Sequence, residues 1–149
     1  MRVLIPALVA AALALPAAAQ APAAPAAPVP PKTFTSAAEV QSIIAAAKAR
    51  RKDEPTISTP LMRSGSHASN IEYRASAGPA AIHPDSEMFY VVEGAGTMTT
   101  GGRIVDRAIV DGSSRRIAKG DFLLVPPETP HQVTAVEGSV SLMAVRVPK

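Results

Sequence analysis

A chain of 149 residues supplies one domain with one core, and its Ala- and Pro-rich first third contributes little to that core. The formal charge is +3, but the basic residues form no stripe interleaved with stacking aromatics, which argues against a nucleic-acid partner. There is no cysteine, so disulfides, thiolate metal sites, a Cys nucleophile and a lipidated N-terminal Cys are excluded.

Met1-Arg2 is a short positive start, followed by an apolar run over 3–15 that is too short to span a bilayer. Pro16 breaks the run, and Ala17-Ala18-Ala19 offers the small-x-small site that signal peptidase needs. The expectation is a signal peptide over 1–19, cut before Gln20, and a periplasmic or secreted protein. No later apolar run predicts a membrane span in the mature chain. Residues 20–35 open with an Ala/Pro repeat that cannot sustain a helix or sheet, and read as an extended tether.

Ser36-Ala-Ala-Glu39 has the form of a capping box, in which the Ser hydroxyl and the Glu carboxylate each satisfy an amide of the first turn. Val40, Ile43, Ile44 and Ala47 recur at helical spacing, and Lys48, Arg50, Arg51 and Lys52 suit the negative end of the dipole. A helix is therefore predicted over 36–54, stopped by Pro55. Its apolar stripe is narrow, so it should lie against the outside of whatever follows.

From residue 55 the pattern changes to short β-prone runs between turn residues, at 57–62, 70–75, 80–83, 87–93, 96–100, 103–106, 115–118, 121–125, 132–136 and 140–147. Gly101-Gly102 suits a two-residue hairpin, Asp111-Gly112 and Glu137-Gly138 suit further turns, and Glu93-Gly-Ala-Gly96 reads as a tight turn. So many strands without an intervening helix predict an all-β fold, an antiparallel β-barrel or jelly roll with the N-terminal helix packed outside.

His83 ends one predicted strand and Glu87 begins the next, four residues apart, so both can face one interior across the Pro84-Asp85 bend. Phe89 and Val91 continue that parity as an inner wall. His131 follows Pro126-Pro127-Glu128-Thr129-Pro130, a stiff turn that aims its imidazole, with Val133 and Ala135 sharing its parity. Of Arg115 and Arg116, adjacent in a strand, only one can look inward. His67 lies in a Ser/Gly/Asn-rich turn and reads as an exposed loop residue.

These segments resemble the cupin superfamily, whose first motif reads G-x5-H-x-H-x3-4-E-x6-G and whose second reads G-x5-P-x-G-x2-H-x3-N. Glu87-Met-Phe-Tyr-Val-Val-Glu-Gly94 matches the Glu-x6-Gly portion, with His83 in place of the second histidine. Gly120-Asp-Phe-Leu-Leu-Val-Pro126 matches G-x5-P, and His131 lies where the second motif has its histidine. The resemblance covers about residues 70–147 and implies a barrel with a divalent metal in it. The chain departs from the pattern at Ala81, where the first histidine stands, at Glu128, where a glycine stands, and at Ala135, where an asparagine stands.

What survives is His83, Glu87 and His131. Two imidazoles and one carboxylate form a facial triad with open positions, suited to one Fe, Mn or Zn ion. A metal-free pocket, in which the same residues are hydrogen-bonded structural groups, is the competing reading. No residue identifies itself as a general base, so the catalytic residues stay unassigned. The sequence therefore leads to an exported protein that binds a metal and a small molecule, with Phe89, Val91, Val133 and Met143 as pocket walls. The alternatives are a metal-dependent enzyme of oxygenase, isomerase or hydrolase type on a small oxygenated substrate, and a metal-free interaction protein. The strand over 141–147 offers a face for a homodimer.

Overall fold

The computed structural model describes residues 29–149, so the predicted signal peptide and most of the predicted tether lie outside the described residues. Near the start of the described chain, Lys32 exchanges both backbone hydrogen bonds with Arg63, so this segment is docked along a strand edge.

Helix α1 runs over Ala37–Arg50, with Ser36 as its N-cap accepting from the Glu39 amide. The reciprocal half of the capping box is not made, because the Glu39 carboxylate pairs with Lys32 instead. The helix ends before the predicted 54, where Arg51 turns extended and donates its amide to the Ala47 carbonyl. Ile44 and Ala47 are buried, and Ile44 packs with Leu61 and Ile71 while Val40, Ile43, Val92 and Met143 close round them.

Eight strands follow: β1 Thr56–Ser64, β2 His67–Arg74, β3 Ser86–Thr100, β4 Arg103–Val105, β5 Ala108–Val110, β6 Ser113–Ala118, β7 Phe122–Val125 and β8 His131–Val147. The main sheet has the order β1-β2-β8-β3-β6, with β7 also paired to β3, and every pairing is antiparallel. The all-β barrel read from the sequence is the architecture observed.

Strands β3 and β8 are long because two predicted pairs of strands are each continuous. The Glu93–Gly96 segment is not a turn; the register of β3 against β8 shifts at Val91/Glu93 and again at Gly94/Gly96, so the ribbon bends without breaking. Gly94 makes this bend possible. Its φ is +76°, and a Cβ there would sit 1.9 Å from the Ser139 carbonyl oxygen. Beyond the bend the ribbon changes neighbours. Residues 87–90 of β3 pair with β7 and residues 140–146 of β8 with β2, whereas residues 95–100 of β3 pair with β6. This exchange of partners folds the sheet round one core.

That core is Phe89, Val91, Met98, Ile117, Val125, Val133, Val140, Leu142 and Ala144. Burial of side chains the size of Phe89 or Leu142 contributes about 1.5–3 kcal/mol each. Residues 80–83 form no strand; they join the barrel through a bridge at Ala81 and through backbone hydrogen bonds from the Ala80 amide to the Arg107 carbonyl and from the Glu128 amide to the His83 carbonyl. β5 was not predicted; it pairs with β4 across Asp106 and Arg107, both with positive φ, so Gly101-Gly102 leads into that hairpin rather than joining paired strands.

Candidate metal centre at the barrel mouth

The three predicted ligands converge. The donor atoms of His83, Glu87 and His131 all lie within 4.8 Å of one another. Glu87 Oε2 is 3.1 Å from His131 Nε2 and 3.5 Å from His83 Nε2, and the two imidazole centroids are 5.3 Å apart.

Each side chain arrives by a different route. Glu87 is the second residue of β3, sharing the inward parity of Phe89 and Val91, and only 6% of it is exposed. His131 opens β8, directly after the proline-rich turn, and is equally well buried. His83 belongs to no strand. Its segment is tied down by neighbours: Ala81 exchanges both backbone hydrogen bonds with His131 at 2.9 Å, and the His83 carbonyl accepts the Glu128 amide at 2.8 Å. Gln132 reinforces the arrangement by donating to the Gly78 carbonyl and accepting from the Ile109 amide.

The hydrogen bonds fix which nitrogen of His131 faces the site. Its Nδ1 lies 3.1 Å from the Thr129 carbonyl, which can only accept, so Nδ1 carries a proton and Nε2 is the atom turned to Glu87. Phe89 packs against the same ring at 5.8 Å between centroids, forming the wall beneath it.

Burial acts on all three groups, with different outcomes. Burial disfavours ionised Glu87, but the hydrogen bond and charge of His131, with His83 and Arg146 beyond, outweigh it and hold the carboxyl below its ordinary range. For His131, burial likewise opposes the charged form. The Glu87 carboxylate and the Thr129 carbonyl prevail, and its pKa is raised. For His83, burial and then the Arg146 cation lower the pKa, and Glu87 only partly offsets them.

The donor set fits a divalent cation. Ligand atoms about 2.0–2.2 Å from one ion lie about 3 Å apart when adjacent, and both imidazole–carboxylate separations are near that value. His83 can close the remaining gap because its side chain is the most exposed of the three, at 25%. Ala81 stands directly opposite His131 across the antiparallel bridge, so its Cβ lies on the face of the missing fourth ligand.

Other expectations resolve on the same frame. Arg115 pairs with Met98 on the inner face, lining a cleft of about 160 Å³ with Thr100, Ser113 and the 122–124 stretch, whereas Arg116 points out to Glu137. His67 is an exposed residue at the start of β2. Met143 is not a pocket wall. It pairs with Tyr90 and Ile71 on the outer face and packs with the helix cluster, since the interior residues of β8 here are Leu142 and Ala144. Arg146, which sequence reasoning passed over, shares the parity of Leu142 and Ala144 and reaches the mouth, placing a guanidinium nitrogen 3.2 Å and 3.3 Å from the two His83 ring nitrogens. Parity along β8 was the signal that could have found it.

A family model described as Cupin domain matches residues 69–146. Among curated proteins no sequence matches. Of the solved structures, a protein from Ralstonia eutropha JMP134, provisionally assigned as a mannose-6-phosphate isomerase, superposes with a TM-score of 0.53 at 22% identity. That match covers 63% of this chain and 85% of the other. Hydroxypropylphosphonic acid epoxidase from S. wedmorenis gives a TM-score of 0.54 at 22% identity over 63% of this chain, which spans only 51% of the epoxidase. The Fe(II) form of HppE gives 0.54 at 21% identity, over 66% of this chain and 54% of that one. At these identities the likeness is one of fold.

Proposed function

Because this chain belongs to the Cupin domain family, we propose that its barrel binds one divalent metal ion through His83, Glu87 and His131 and presents it to a small oxygen-bearing molecule. The observation that carries this reading is the convergence of two imidazoles and one carboxylate at a mouth walled by Phe89. When bound, such an ion supplies Lewis acidity to an oxygen atom. The chain's own residues do the rest. Glu87 provides the compensating negative charge, the Thr129 carbonyl orients the His131 ring, and the barrel core keeps water from behind the site.

Binding without turnover is the preferred reading. Acid–base turnover also needs a group that moves a proton, and two charged groups near the ligands are poorly suited to it. Arg146 is permanently charged, and the Glu72 carboxylate is already held by Arg74 at 2.7 Å. The observation favouring an enzyme is that, among the described residues, three protein donors meet, a number that leaves positions open on the ion. Metal analysis of the native protein, followed by a screen of small oxygenated metabolites for binding, oxygen consumption and product, separates the readings. About one ion per chain with ligand binding alone supports the proposal, reproducible turnover replaces it with the enzyme, and an absence of metal overturns both.

Export belongs to the same proposal. It rests on the positive start, short apolar run and Ala17-x-Ala19 site; recovery of the protein from the cytoplasmic fraction alone would overturn export, and an intact mass retaining Met1 in protein from outside the cytoplasm would overturn the cleavage before Gln20.

A further inference from the structure

The charge at the barrel mouth is unbalanced, and the imbalance identifies the ligand. Across three neighbouring strands, Ala68, Arg146 and Glu87 are successive partners on the interior face. Arg146 is exposed to solvent there, yet among the described residues it makes no ion pair. Glu87 is engaged by the two histidines, and Glu72 is taken by Arg74 through both Nε and NH2.

Nor is the contact with His83 an ordinary hydrogen bond. A nitrogen nearly equidistant from Nδ1 and Nε2, at 3.3 Å and 3.2 Å, lies over the ring face, because in the ring plane it would overlap the carbon between them. The guanidinium thus directs one nitrogen at the ring of a candidate ligand, and among the described residues no carboxylate takes up its remaining N–H donors. Ala68, on the other side of Arg146, is too short to cover it.

With a divalent ion in place, two positive charges from the ion and one from Arg146 face a single negative charge from Glu87. A neutral ligand leaves that excess uncompensated, and an anionic one relieves it. We infer that Arg146 is a specificity-determining residue of this site and that its ligand is a small carboxylate, gripped by the guanidinium while a neighbouring oxygen faces the triad. A planar carboxylate matches the two-pronged geometry of a guanidinium better than a point anion does. This inference rests on the proposed metal site and names its ligand class.

The test uses the full mature chain loaded with Co(II), whose visible spectrum reports both metal uptake and ligand binding. Glycolate, its neutral counterpart glycolamide and methylphosphonate are titrated into wild type, Arg146→Met and Arg146→Lys. Arg146→Met should weaken glycolate by about tenfold or more while changing glycolamide by less than about twofold, with Arg146→Lys in between. Equal losses for glycolate and glycolamide, or none, would overturn the inference while leaving the metal site standing. Methylphosphonate binding more tightly than glycolate would overturn the carboxylate assignment. Failure of wild type to take up Co(II) would instead overturn the metal site itself.

Discussion

The two histidines at the mouth are the same residue in two different settings. His131 is buried, follows a proline-rich turn, has one nitrogen fixed by the Thr129 carbonyl and titrates above its ordinary value. His83 sits in a segment outside any strand, is partly exposed, lies under a guanidinium and titrates below its ordinary value. One ring is positioned before any ligand arrives. The other is tethered through its backbone but keeps freedom in its side chain. Burial alone pushes both pKa values down, so the difference comes from neighbours: a carboxylate and a carbonyl on one side, a cation on the other.

The strongest way to break this comparison is to remove each ring in turn. His131→Ala should abolish measurable metal uptake, because it deletes the pre-positioned ligand and leaves the Glu87 carboxylate buried without its closest partner. His83→Ala should weaken uptake by about 10–100-fold, leaving a buried pair that still binds. Equilibrium dialysis against Mn(II) or Zn(II) reads both. Equal losses would mean that His83 is as well positioned as His131, and the asymmetry would carry no functional weight.

Supplying the absent ligand sharpens the comparison from the other side. Ala81→His should tighten metal binding by about tenfold, since position 81 faces His131 across the bridge and its backbone is already fixed by two hydrogen bonds. Unchanged affinity in a folded variant would show that the Cβ of residue 81 does not point at the ion. A fall in thermal stability together with lost affinity would indicate an overfilled mouth.

Period-2 alternation made the barrel legible, and parity placed Glu87 and His131 on its inner face because each lies within a true strand. His83 reached the site for a reason that parity did not contain: residues 80–83 are not a strand, and it is the bridge from Ala81 to His131 that brings them in. Continuous β3 and β8 were hidden because Gly94 and Gly138 look like turn residues, whereas here their positive φ values serve long strands. Met143 was misplaced by one residue of register, since a strand that bends through Gly138 does not reveal locally which face turns inward. Arg146 escaped notice because an arginine near a chain end reads as solvated until the pairing with Glu87 is known.

A smaller effect separates the rings by pH in the metal-free protein. The folded pKa of Glu87 is depressed, so its ionised form contributes stability above the ordinary value of 4.5, lost as pH falls through the folded value. His131 is raised, so its contribution is complete below 6.5 and lost as pH rises through its folded value. The pair therefore stabilises most between about 4.5 and 6.5. His83 acts against it on the acid side, its depressed value disfavouring the fold as pH drops below 6.5. Melting temperatures of metal-free wild type and Glu87→Gln should differ most inside that window and converge above it. A constant difference at all pH values would show that the carboxylate contributes shape rather than charge.

The smallest expected effect lies in the turn that links the two rings. Glu128 stands where the family motif has glycine, and its backbone keeps a glycine-like conformation at φ +55°. Its amide still donates to the His83 carbonyl, so the geometry is retained although the residue has changed. A side chain in the left-handed region costs about 1–2 kcal/mol, and glycine returns part of that as greater freedom in the unfolded chain. Glu128→Gly should therefore stabilise the protein by at most about 1 kcal/mol, read as a small rise in the denaturation midpoint. Metal affinity should not change, since no contact of His83 or His131 involves the Glu128 side chain. If the variant is less stable, the Glu128 carboxylate stabilises the turn enough to outweigh its backbone cost. If it loses metal affinity while staying folded, the stiffness of this turn, and not only its hydrogen bond to His83, is what holds the two rings in register.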